Sequence, residues 1–389
     1  MIRIAQPLIG EEEKTAVMAV LESGRLASGP VTRELEEAFA DEVAGVREAV
    51  AVSSGTAALH LALLAHGIGP GDEVITTAFS FQATANMVLA TGARPVFVDV
   101  GEDGNIDPAL IEEAITPRTR AILPVHLYGR LCRMEAIESI ARRHGLALIE
   151  DAAQAHGASL RRALREPQGG PQGAARGGRR TGSFGTGCFS FYATKNMTAG
   201  EGGMVTTNES ALAERIRRLR SHGEDRRYHS LELGFNYRLT DIAAAIALAQ
   251  LRKLGGFTAR RRANAAYLSA NLRGVIPPPE PEQPEEHVWH QYTVRVPEGR
   301  DDLASWLRER DIETAVYYPQ PIPHQALYRD LGYKAELPVA ARLSREVLSL
   351  PVHPGLSESD LRSIVTAVNE WSAARAGGEN GSLASVPGE

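Results

Sequence analysis

Between Val46 and Asp151 short β-branched runs alternate with helical stretches, and this alternation constrains the fold more than any other feature of the chain. AVAVSS is followed by TAALHLALLAHGI, EVITT by FQATANMVLATG, PVFVDV by PALIEEAI, and AILPVHLYG by MEAIESIARRHG, before a further run, LALIEDA. Such a succession predicts βαβ crossovers around a largely parallel central sheet with helices on both faces, an α/β fold. The punctuation agrees. Gly69-Pro70-Gly71-Asp72 precedes one run and Gly145 another, where a helix end calls for a residue able to adopt positive φ. Functional groups in such folds collect at the carboxyl ends of the strands, which here means Ser53–Thr56, Phe79–Phe81, His126–Gly129 and Asp151–His156.

After Asp241 the pattern changes to long helical stretches, DIAAAIALAQLRKL and FTARRRANAAYLSANL, and then to a Pro-rich break over 277–284. The expected division is a large domain over 1–255, a smaller C-terminal α/β domain over 256–375, and a disordered tail over 376–389. Residues 159–182, rich in Gly, Arg, Pro and Gln, read as a flexible insert, either a mobile surface loop or a basic lip for anionic phosphates. No aromatic residues interleave its arginines for base stacking. The net charge of −6 argues against chain-wide attraction to nucleic acid or to an anionic membrane. Cys132 and Cys188 are the only cysteines and lack metal-ligand spacing, so no metal site is expected. MIRIAQPLIGEEEK lacks an apolar signal core, and the expected location is the cytoplasm.

Three segments carry chemistry. Ser53-Ser54-Gly55-Thr56-Ala57 joins a strand to a helix start, where N–H groups and the helix dipole favour an anion, although Ser and Thr are also ordinary caps. IEDAAQAHG ends a strand in Glu150-Asp151, with Gln154 and His156 one turn on. A carboxylate there can keep a cationic ring nitrogen protonated, or can simply cap a helix. In CFSFYATKNMTAGEGGMVTT a β-rich run leads to Lys195 and a Gly202-Gly203 turn; an amine desolvated at such a strand end becomes nucleophilic toward an aldehyde.

SSGTAAL, IEDAAQAHG, FSFYATKNMTAGEGGM and LGFNYRLTDIAAAIALAQL, in this order across nearly the whole chain, closely resemble the DegT/StrS family of sugar-nucleotide aminotransferases. The resemblance implies the type I aminotransferase fold with pyridoxal 5'-phosphate as cofactor and Lys195 as the Schiff-base lysine. It implies Asp151 at the pyridine nitrogen, Gln154 at the ring hydroxyl and Phe81 stacked on the ring. Gly55, Thr56 and Ser190 would hold the phosphate, beside Ala57, and Asn236 would reach the phosphate of a neighbouring subunit, giving a homodimer with shared active sites. Tyr318, in YYPQPIPHQ, and His324 would line the sugar site, or would pack in a Pro-rich loop. His126, in PVHLYG, would lie near the cofactor or pack at a strand end.

The implied reaction moves an amino group from L-glutamate to a keto sugar on a nucleotide, with freed Lys195 shuttling the proton. TAGEGG and FNYRLTDI resemble the members that aminate carbon 4 of a 4-keto-6-deoxy sugar, such as a dTDP sugar. The alternatives are a 3-keto sugar nucleotide or a cyclitol of the scyllo-inosose type. A non-catalytic regulator of the same fold would be free to lose Lys195, Asp151 and Gln154, and all three are present. Family members that dehydrate the sugar resemble a pattern with histidine in place of Lys195.

Overall fold

The computed structural model describes residues 1–160, 178–281 and 285–381. Five strands come from the alternating region: β1 (Glu48–Val52), β2 (Glu73–Thr77), β3 (Arg94–Val98), β4 (Thr119–Leu123) and β5 (Ala147–Asp151). A short β6 (Ser159–Leu160) is followed by β7 (Thr186–Ser190) and β8 (Gly203–Thr207). The central sheet has seven strands in the order β1-β8-β7-β5-β4-β2-β3. All neighbours from β7 through β5, β4 and β2 to β3 are parallel, while β8 runs antiparallel to β1 and β7. The largely parallel α/β sheet expected from the sequence is therefore present.

Alternation along each strand sorts side chains to the two faces. Val50 and Val52 with Val74, Ala121, Leu123 and Val205 pack on α3 (Gly55–Ala65) and α6 (Ser210–Leu219). Ala49, Ala51, Phe189 and Met204 turn the other way, onto α2 (Pro30–Phe39) and the first half of α7 (Asp241–Asn271). On that second face Ile75, Ile122 and Leu148 meet α5 (Met134–His144). α3 is apolar around most of its circumference, and nearly all of its side chains are buried between the sheet, α6 and α4 (Ala83–Ala90).

The expected boundary at 255/256 lies inside α7, a single 31-residue helix. Gly255 and Gly256 do not interrupt it. Each glycine costs about 1 kcal/mol in a helix interior, and packing at both ends offsets this. Leu248, Leu251 and Leu254 sit in the sheet core, while Ala265 and Leu268 sit in a separate core built on the antiparallel pair Tyr292–Arg295 and Val347–Leu350. That second core includes Leu303, Leu307, Ile364, Val368 and, from the chain start, Ile2. The C-terminal helix runs Glu358–Gly381, past residue 375 where a disordered tail was expected to start; residues 382–389 lie outside the described residues.

Most of the expected insert, 161–177, likewise lies outside the described residues, but its ends belong to the fold. Leu160 N–H donates to Arg179 O (2.8 Å) and Thr181 N–H to Ala158 O (2.9 Å). Arg179 pairs with Glu138 at 2.8 Å and lies 4.0 Å over the Phe184 ring, so the span 159–182 was drawn too wide. Among the described residues no helix is long and apolar enough to cross a membrane, and no group of three or more His, Cys, Asp or Glu could hold a metal ion.

Candidate active site

β5 ends in two carboxylates that alternation sends to opposite faces, and their surroundings differ. Glu150 accepts hydrogen bonds from the N–H groups of Gly182 (2.9 Å), Phe184 (2.8 Å) and Gly185 (2.9 Å), fastening the chain behind the strand. The His126 ring also meets Glu150, through Nε2 at 3.0 Å. Because Cys132 N–H donates to Nδ1, the His126 proton sits on Nε2 and points to Glu150. His126 is thus a packed, hydrogen-bonded strand-end residue.

Asp151, on the other face, is buried with two partners. Thr84 Oγ donates to Oδ2 at 2.8 Å and Ala153 N–H to Oδ1 at 3.2 Å. Burial raises its pKa; the Thr84 and Ala153 hydrogen bonds and the nearby Lys195 charge oppose this. Lys195 follows β7, with its N–H bonded to Tyr192 O at 2.9 Å. Burial lowers its amine to about 8, against the pull of Asp151. Asp151 and Lys195 are thus close enough to act on each other's charge while burial disfavours both, and a cationic ring beside Asp151 would favour its ionised form. Thr84 escaped the sequence reading. Its signal is a hydroxyl in the first turn of an apolar helix, three residues after Phe81 in SFQAT.

The strand-to-helix turn forms the second part of the site. Ser54 Oγ accepts the Ala57 N–H at 3.0 Å, while the N–H groups of Gly55 and Thr56, in the first turn of α3, have no acceptor within the helix. A Cβ on Gly55 would stand 2.6 Å from the Ser190 Cβ, so glycine is what lets Ser190 close against the helix start. Gly55, Ala57 and Ser190 are buried and Thr56 is exposed. Donors at a helix N-terminus beside a hydroxyl make a seat for phosphate.

Gln154 is fixed in orientation. Its Oε1 accepts the Tyr128 N–H at 2.8 Å and its Nε2 donates to Tyr318 OH at 3.1 Å, leaving one amide N–H to offer. Tyr318 lies 6.0 Å, edge on, from Phe79 and 6.5 Å from Phe81, whose half-exposed ring is free to cover a flat ligand. Burial, with Asp151 nearby, raises the Tyr318 pKa and keeps its hydroxyl protonated.

The fold thus brings together Asp151, Lys195, Gln154, Phe81 and Tyr318, and separately joins Gly55, Thr56 and Ala57 to Ser190. His324 closes a 3₁₀ turn tied to Ala78 O through Ile322 N–H, and among the described residues no hydrogen bond joins its side chain to the cluster. Asn236 is exposed beside the end of β1, where Ser53 N–H donates to Tyr237 O at 2.8 Å. A ring with a basic nitrogen, a hydroxyl, an aldehyde and a phosphate matches this donor set: carboxylate, amide, amine and helix start. Pyridoxal phosphate fits.

The family described as the DegT/DnrJ/EryC1/StrS aminotransferase family matches residues 7–369. The chain is 41% identical over 373 residues to the "Pleiotropic regulatory protein" of Geobacillus stearothermophilus, covering 93% of this chain and 95% of the relative. To the spore coat polysaccharide biosynthesis protein SpsC of Bacillus subtilis it is 40% identical over 388 residues, covering 94% and 95%. The crystal structure of S. venezuelae DesV in complex with a ketimine intermediate superposes with a TM-score of 0.85 at 42% identity, covering 93% of this chain and 94% of that one.

Proposed function

Because this chain belongs to the DegT/DnrJ/EryC1/StrS aminotransferase family and is a pyridoxal-phosphate-dependent transaminase acting in sugar chemistry, we infer that it aminates a keto sugar carried on a nucleotide, with L-glutamate as donor. The observation that supports the aminotransferase chemistry in this reading is the presence of a buried carboxylate, an amine lowered to about 8, an oriented amide and a helix-start phosphate seat; the nucleotide sugar and the glutamate donor rest on the resemblance. The bound cofactor supplies the electron sink that stabilises a substrate carbanion. Asp151 holds the proton on the ring nitrogen, since an opposite charge at close range favours the ionised form of both. Gln154 offers its remaining N–H to the ring oxygen. With the cofactor in place Lys195 would move a proton between the substrate carbon that bears the nitrogen and the cofactor carbon on the far side of that nitrogen, which an amine of pKa about 8 can do in both directions near neutrality. A regulatory role, as named for the Geobacillus relative, would need none of these groups; Lys195, Asp151 and Gln154 are all in place.

The nitrogen is assigned to carbon 4 of a 4-keto-6-deoxy sugar nucleotide, on the TAGEGG and FNYRLTDI segments. The test is incubation with glutamate and a panel of 3-keto and 4-keto nucleotide sugars and a keto cyclitol, with products read by NMR. Nitrogen at carbon 4 is expected. Turnover of the 3-keto isomer alone would overturn the carbon assignment, and turnover of the cyclitol alone would overturn the nucleotide.

The active unit is a cytoplasmic dimer in which Asn236 of each subunit serves the phosphate seat of the other. Exposed apolar residues flank Asn236: Tyr228, Leu231 and Leu233 before it, and Leu26, whose carbonyl accepts the Asp241 N–H, beside the start of α7. Such a patch calls for a covering partner. Co-expressing Lys195→Ala and Asn236→Asp chains should restore up to about a quarter of wild-type activity, from one intact composite site per heterodimer in a statistical mixture. Activity no higher than that of either parent would place Asn236 at the seat of its own chain.

A further inference from the structure

We propose that Tyr128 is a positioning residue that sets both walls of the cofactor pocket at once, holding Gln154 through its backbone and the Tyr317–Tyr318 segment through its hydroxyl. Nothing in the chemistry above uses Tyr128, yet it is one of few non-glycine residues in the left-handed region, at φ 59° and ψ 6°. That conformation is unfavourable for a residue with a side chain of this kind, so the surroundings hold it.

The hold is visible on every side. Gly129, at φ 92°, has room for no side chain, because a Cβ there would stand 2.8 Å from His290 N and 3.1 Å from Gln154 O. Tyr128 O accepts the Gln291 N–H at 3.2 Å. With the backbone so turned, the Tyr128 N–H points at Gln154 Oε1, which settles the amide with its nitrogen toward Tyr318. The Tyr128 hydroxyl donates to the Tyr317 carbonyl. The circuit is closed: Tyr128 to Gln154, Gln154 to Tyr318, and the residue preceding Tyr318 back to Tyr128. Tyr128 and Tyr318 also pack against the same apolar cluster around Phe79. A hydroxyl that moved the 317–318 segment would move the acceptor of Gln154, and with it the one N–H that Gln154 offers the ring.

This inference rests on the cofactor lying between Asp151, Lys195 and Gln154. The experiment is a double-mutant cycle on Tyr128→Phe and Tyr318→Phe, with Tyr317→Phe as control because the acceptor there is a main-chain carbonyl. Titrating the apo chains with pyridoxal phosphate gives a dissociation constant, and the visible band of the loaded protein gives a pH midpoint. Each single variant should weaken binding about five- to tenfold and shift the midpoint in the same direction. The double variant should be no worse than the weaker single, as residues acting through one unit are not additive. Tyr317→Phe should stay within about twofold of wild type, and Tyr128→Phe should melt within a few degrees of it. Multiplying losses, an unshifted midpoint in Tyr128→Phe, or failure of that variant to fold would each overturn the proposal. A wrong placement of the cofactor would be seen separately, as a Lys195→Ala chain that keeps the visible band.

Discussion

Lys195→Ala is expected to abolish the visible absorption band of the loaded protein and to lower turnover by at least about 10³-fold, because the proposed function makes one amine both covalent anchor and proton carrier. The fold should survive. Lys195 closes no ion pair among the described residues, and removing an amine that burial holds near pKa 8 relieves a desolvation cost. In the wild-type apo chain, capture of pyridoxal phosphate should speed up as pH rises toward about 8 and then level off, since the neutral amine is the nucleophile. An ordinary exposed lysine would still be gaining reactivity near pH 10. Measured capture rates that keep climbing past pH 9, or an alanine variant with an unchanged spectrum, would remove Lys195 from its role.

Asp151→Asn should bind the cofactor yet lose roughly 10²–10³-fold in the half-reaction with glutamate, the scale of removing one pre-organised charge from a buried site. The substitution is tolerable in packing. Thr84 Oγ, which now donates to Oδ2, also lies 3.2 Å from Phe81 O and can turn its proton there, accepting from the new amide. The apo chain should be at least as stable as wild type at neutral pH. Asp151 has a folded pKa raised by burial, so the folded state binds more protons than the unfolded one, and its contribution declines as pH rises from the unfolded value through the raised one. Asparagine removes that penalty at pH 7. A melting curve level with wild type or above it, together with the kinetic loss, is the expected pair. A variant with near wild-type glutamate turnover would leave Asp151 as a structural cap.

The fold was legible because its signals are local. β-branched runs of strand length, glycines where helices end and apolar alternation all act within a few residues, and they sufficed for a largely parallel sheet with helices on both faces. The 255/256 boundary falls inside α7, and the C-terminal helix continues past 375 to Gly381. Glycine pairs weaken a helix locally, but α7 is held by two cores far apart in sequence that nothing near residue 255 announces. The ends of the Arg- and Gly-rich stretch were lost for a similar reason: Arg179 is anchored by Glu138 and Phe184, one distant in sequence, one beyond the segment.

By itself the sequence determined which groups the site can contain: the lysine, the two carboxylates, the amide and the helix start lie in three short segments whose residue types state their chemistry. The resemblance chose Asp151 over its neighbour, and the tertiary structure supplies the physical reason: Glu150 is taken up by the Gly182–Gly185 turn, while Asp151 meets Thr84 and acts on the charge of Lys195. The tertiary structure alone decided the orientation of Gln154, through partners at Tyr128 and Tyr318 that lie 26 and 164 residues away. Chain-local forces select residue types and elements, whereas the direction of a buried hydrogen bond depends on whichever distant segment supplies its partner.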